Sequence, residues 1–140
     1  MATTVVYSTP GSFSWTVPAD TTAITVRAWG AGGGSGAVTG NGGNGGFVTA
    51  TYPVSSGQVY TVVVGSGGGK PTAGAAGGGG SARATTTNGA GGGYSALYLT
   101  TLTAANIVVM ASGGGGGPGA AGNGGTGIES NTSAGGSGTG

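Results

Sequence analysis

The placement of glycine constrains this chain more than any other feature. Of 39 glycines, 37 fall in four tracts, at 30–46, 65–80, 89–93 and 113–140, and only Gly11 and Gly57 lie elsewhere. Glycine loses more backbone freedom on folding than any other residue, so each tract opposes order strongly. Such tracts can remain solvated spacers, or they can pack so closely that backbone bonds directly to backbone.

Between the tracts the chemistry changes. Residues 12–17 place Phe13, Trp15 and Val17 on one face and Ser12, Ser14 and Thr16 on the other. Residues 22–29 place Ile24, Val26 and Ala28 opposite Thr25 and Arg27, and Trp29 falls on the Arg27 side. Alternation with period two reads as half-buried antiparallel strand. Val17-Pro18-Ala19-Asp20 is a turn signal, so 12–17 and 22–29 are expected to pair as a hairpin. Residues 47–52 and 58–64 are expected to form a second pair around the turn at 53–57. Further strands are expected at 94–99 and 107–111, with an edge strand at Val5-Val6-Tyr7. Ile107-Val108-Val109-Met110 is apolar on both faces and is placed centrally in a sheet. The dominance of Gly, Thr, Val and Ser supports no helix beyond one short turn within 101–105.

Two conformations are open to the tracts. One is a flexible Gly-rich linker. The other is a bundle of polyproline II-like helices, which have three residues per turn and no internal hydrogen bonds. Their N–H and C=O groups point outward and can bond neighbouring tracts, as buried backbone groups require. The packed form is preferred. The tracts are nearly free of charge, are anchored by strands, and would otherwise be long structureless loops inside a small domain. Gly32, Gly33, Gly34, Gly78, Gly79, Gly92, Gly114, Gly115 and Gly116 are the packing residues this implies. Trp29 joins them, either covering a sheet face or lying at a contact between subunits. Four Asn-Gly pairs, beginning at Asn41, Asn44, Asn88 and Asn123, fit bends between tract segments.

Composition removes whole classes of function. The 140 residues fit one domain over 1–140, strand-rich through 112 and Gly-rich from 113 to 140. There is no Cys and no His, so disulfides, thiolate chemistry and imidazole acid–base catalysis are absent. The charged residues are Asp20, Arg27, Lys70, Arg83 and Glu129, for a net charge of +1. Three cations cannot neutralise the phosphates of a typical nucleic-acid interface. Two distant carboxylates make a poor calcium site. Gly65-Ser66-Gly67-Gly68-Gly69-Lys70 is not a phosphate loop: Val64 stands where its first Gly belongs, and Pro71 replaces the Ser or Thr after Lys. Asn131-Thr132-Ser133 is a glycosylation sequon of a kind that arises readily in Ser/Thr-rich sequence. No apolar run is long enough to span a bilayer. The chain is therefore expected to be non-enzymatic, with no cofactor, no metal, no nucleic acid and no membrane insertion.

The ordered motifs carry a resemblance. Residues 13–19 (FSWTVPA) and 24–34 (ITVRAWGAGGG) are similar to the opening of glycine-rich domains in bacteriophage tail-fibre and adhesin proteins and bacterial surface proteins. Gly45-Gly46-Phe47-Val48, Tyr60-Thr61-Val62-Val63-Val64-Gly65, Gly92-Gly93-Tyr94-Ser95 and residues 107–116 (IVVMASGGGG) continue the pattern in order. A remoter similarity is to the glycine-rich domain of anaplastic lymphoma kinase-type receptors. The resemblance implies an all-β, antiparallel sandwich or jelly-roll-like body with polyglycine tracts packed beside it. It implies a self-associating structural or adhesive protein, extracellular or on a virion surface although no Sec signal peptide is visible. Its partners are then itself and a cell-surface glycan or protein. The alternative is the subunit of a homopolymeric extracellular filament, in which residues 113–140 dock on a neighbour.

Overall fold

A computed structural model describes residues 3–36, 40–69, 77–82 and 88–118. Lys70, Arg83, Asn123, Glu129, the 131–133 sequon and the tail beyond 118 lie outside the described residues. The alternating segments form strands close to where their periodicity puts them: β1 (Gly11–Thr16), β2 (Ala23–Trp29), β3 (Phe47–Pro53), β4 (Val59–Val64), β5 (Ser95–Leu99) and β6 (Ile107–Ala111). A 3-10 turn, Ala104–Asn106, precedes β6.

All pairings are antiparallel. One sheet has the order β1-β4-β5-β6 and the other is the pair β2-β3. β2 packs over β5 and β6, and β3 over β6, so the fold is an antiparallel β-sandwich. Register places Phe13, Val62, Leu97 and Val109 in one row on the inner face of the larger sheet. The core joins Val17, Val54, Tyr60, Leu97 and Val109, with Ile24, Val26, Val48, Ala50 and Tyr52 of the small sheet packed against them. The Tyr52 hydroxyl donates to the Val108 carbonyl and ties the two sheets together.

The expected hairpins do not form. β1 pairs with β4, and β2 with β3. The segments after β1 and after β3 carry the chain from one sheet to the other. They bond each other as they cross: Val17 N–H donates to Gln58 O at 2.9 Å, Gly57 N–H to Val17 O at 3.0 Å, and Val54 N–H to Thr22 O at 3.0 Å. Val17 and Val54 are buried there and close one end of the core. Gly57 has φ +80, the conformation a type II turn demands at its third residue.

Two further expectations change. Val5-Val6-Tyr7 joins no sheet; Val5 and Val6 are exposed, and Tyr7 packs on Phe13. β6 lies at a sheet edge and not centrally. Its apolar faces are accounted for by cover on both sides. Val109 faces the small sheet, while Ile107 and Met110 pack in a second cluster with Val63, Ala96 and Tyr98.

Candidate functional site

The glycine tracts leave the sandwich at one end. Trp29 ending β2 is in register with Phe47 opening β3, and Ser95 opening β5 with Ala111 ending β6. Glycines therefore continue the ends of β2, β4 and β6 and lead into β3 and β5. Where β4 gives way to its tract, Gly65 N–H donates to the buried Ser95 hydroxyl at 3.0 Å.

Beyond that junction the tracts bond one another every third residue. Gly30, Gly33 and Gly36 N–H donate to Gly46, Gly43 and Gly40 carbonyls. Ala31 and Gly34 donate to Gly93 and Ala90, and Ala90 and Gly93 in turn donate to Gly69 and Ser66. Gly89 and Gly92 donate to Gly117 and Gly114, and Gly43 and Gly46 to Gly115 and Ser112. In these sets acceptor numbers fall as donor numbers rise, so the tracts are antiparallel. Gly114 and Gly117 donate to Ala31 and Gly34 with both series rising, so 112–118 runs parallel to 30–36. The bonds are short, from 2.6 to 2.9 Å.

A three-residue repeat, without helix or strand assignment and with positive φ only at Gly77 and Gly78 among the described tract residues, is polyproline II geometry. A β-strand bonds only within its sheet. These tracts bond in several directions about their axes. Residues 30–36 bond 40–46, which continues their own sheet, and also 65–69, 88–93 and 112–118, which continue the other. The two sheets thus become one backbone lattice.

The lattice excludes side chains by position. A Cβ on Gly33 would stand 2.0 Å from Gly115 O, on Gly92 2.2 Å from Ala31 O, on Gly114 2.0 Å from Gly43 O, and on Gly116 2.0 Å from Gly89 O. On Gly34 it would meet Gly69 O at 2.6 Å. Gly115 supplies the carbonyl that closes on Gly33 and that accepts from Gly43. Gly32 differs: its nearest neighbour would be Gly43 O at 3.7 Å, an ordinary contact. Gly78 has φ +61 and lies by the Tyr94 ring, and Gly79 is half-buried beside it. Trp29 is 62% exposed, with its ring 4.9 Å from that of Phe47 on the outer side of the small sheet.

Other lattice members carry no tract-core glycine signal. Ala90 is wholly buried, and Ser112 is buried at the start of its tract. In 40–46 the burial also repeats by three: Gly40, Gly43 and Gly46 are buried, Gly42 and Gly45 half-buried, and Asn41 and Asn44 exposed. Asn41 and Asn44 are therefore not bends. They stand on the exposed ridge of the tract, with their carbonyls turned towards Gly117 and Gly114. The spacing Asn-Gly-Gly-Asn-Gly-Gly was the signal for this, and of the three described pairs the one at Asn88 sits at a bend.

A family model described as a glycine-rich domain matches residues 7–140. The chain belongs to the glycine-rich domain family. No curated protein matches its sequence. Within the described part of this glycine-rich domain, the bundle offers backbone donors and acceptors and no ionisable side chain. No group of three or more His, Cys, Asp or Glu gathers among the described residues, and no described helix is long and apolar enough to cross a membrane. Asp20 and Arg27, the charged residues in the described part, are both exposed on the sandwich. What the described arrangement supplies is shape: a closely hydrogen-bonded, uncharged bundle of backbone rooted in a β-sandwich.

Proposed function

We propose that this glycine-rich domain is a non-enzymatic, self-associating structural and adhesive protein, comparable to the glycine-rich modules of phage tail fibres and bacterial surface proteins. It acts outside the cell or on a virion surface. Its first partner is itself, and its second is a cell-surface glycan or protein met by the ridges and tips of the bundle. The observation that carries this reading is the three-residue hydrogen-bond lattice. Order built from uncharged backbone suits a presenting or building surface.

A second reading, a subunit of a homopolymeric filament, is favoured by residues 3–8, which join neither sheet and in which Val5 and Val6 are 54% and 77% exposed. A low net charge removes repulsion between copies in either case. Sedimentation across a concentration series, with electron microscopy of the same samples, tests both. Discrete assemblies that also bind cell surfaces support the adhesive reading, and uniform filaments of this one chain support the second. A monomer at every concentration that binds no cell surface overturns both.

A further inference from the structure

The two sheets are unequal, four strands against two. The small sheet covers the β5–β6 side of the large one. On the β1–β4 side, the inner face carries Phe13 opposite Val62 and Trp15 opposite Tyr60. Phe13, Trp15 and Val62 are only half-buried. β2 reaches over β5, so its edge away from β3 faces this floor, and that edge pairs with no strand among the described residues. An open edge beside an apolar floor is a template for one more strand.

The chain carries a segment suited to it. Thr3-Thr4-Val5-Val6-Tyr7 is β-branched and aromatic, uncharged and outside either sheet. The chain bends at Thr9-Pro10, just before Gly11 with φ +149, and the Tyr7 ring lies with its centre 5.3 Å from that of Phe13. Beyond Tyr7 the segment leaves its own floor, and Val5 and Val6 face solvent. Val5 and Tyr7 share one side of an extended chain and Val6 takes the other.

We propose that residues 3–7 of one copy add as a third strand to the free β2 edge of a second copy. Val5 then covers the Phe13–Val62 floor, and the backbone ladder supplies the remaining affinity. This rests on the self-association reading and names the segment and edge that perform it. Every copy holds one donor and one acceptor, so exchange closes a symmetric dimer or propagates as a filament, according to the rotation between copies.

The test compares the full chain with a chain lacking residues 1–8 and with Val5→Lys. The shortened chain is expected to keep its circular dichroism and melting behaviour, to sediment as a monomer, and to bind a synthetic peptide of residues 3–9. Val5→Lys is expected to weaken association about tenfold or more. A Val6→Cys chain mixed with an Arg27→Cys chain should form a mixed disulfide, since both side chains face outward in the exchanged sheet. If the shortened chain associates as well as the full one, the strand-exchange proposal fails while self-association stands. If the full chain is itself monomeric, both fail.

Discussion

At Gly32 and Gly33 two neighbouring residues of identical chemistry face different surroundings. A methyl group on Gly33 collides with a backbone carbonyl that is itself hydrogen-bonded, so the lattice must shift to admit it. Gly33→Ala should cost about 1–3 kcal/mol, as overpacking against fixed atoms does. Gly32→Ala meets only an ordinary contact and should be neutral, or stabilising by up to about 1 kcal/mol through a less flexible unfolded chain. Chemical denaturation of the two variants beside the parent checks both, and equal costs would contradict the packing described. Thr100 poses the opposite case. It is β-branched yet has φ +66, and its N–H is held by Val59 O at 3.1 Å. Thr100→Gly should raise stability by about 1 kcal/mol in the same measurement. Composition marked the glycines as packing residues, but not which of two adjacent ones is indispensable. That depends on which neighbour each Cα faces, and tract-to-tract register is not written in a run of identical residues.

For the elements, alternation located each strand because period two reports burial of one face. It did not report which strand lies beside which. β1 and β2 read as a hairpin because Pro18 and Asp20 mark a turn, and the turn exists, with Asp20 at φ +62. It joins two sheets instead of two neighbours. β6 read as central because both faces are apolar, and cover from the small sheet and the second cluster produces the same pattern at an edge. That second cluster supplies a pH test. Tyr98 is buried and donates to the Tyr94 hydroxyl at 3.0 Å. Burial first, and that hydrogen bond second, push its pKa well above the ordinary 10.0. The folded chain then keeps this phenol neutral at pH values where the unfolded chain ionises it. Its stabilising effect is complete below about pH 10 and is lost as pH rises beyond. Tyr98→Phe should lower stability by about 1 kcal/mol near neutrality and make the alkaline loss shallower. Denaturant midpoints measured against pH read both effects.

For the whole molecule, the sandwich and the bundle are one structure in two backbone geometries. The sheets set which tracts start as neighbours, and the three-residue repeat of the tracts then bonds across the gap between sheets. Gly segregation and the strand motifs made a strand scaffold with packed tracts legible from sequence. The period of the lattice is marked in sequence only where non-glycine residues recur, at Asn41 and Asn44, and those read as bends because Asn-Gly is also a turn signal. Amide hydrogen exchange, resolved residue by residue by NMR, tests the ordered lattice most directly. Slow exchange is expected at Ala31, Gly33, Gly34, Gly43, Gly92 and Gly114, whose N–H groups are bonded inside the bundle, and fast exchange at the exposed Gly32, Ser35 and Asn44. Uniformly fast exchange through 30–36, 40–46, 88–93 and 112–118 would mean that the tracts are solvated linkers, and the lattice would be wrong.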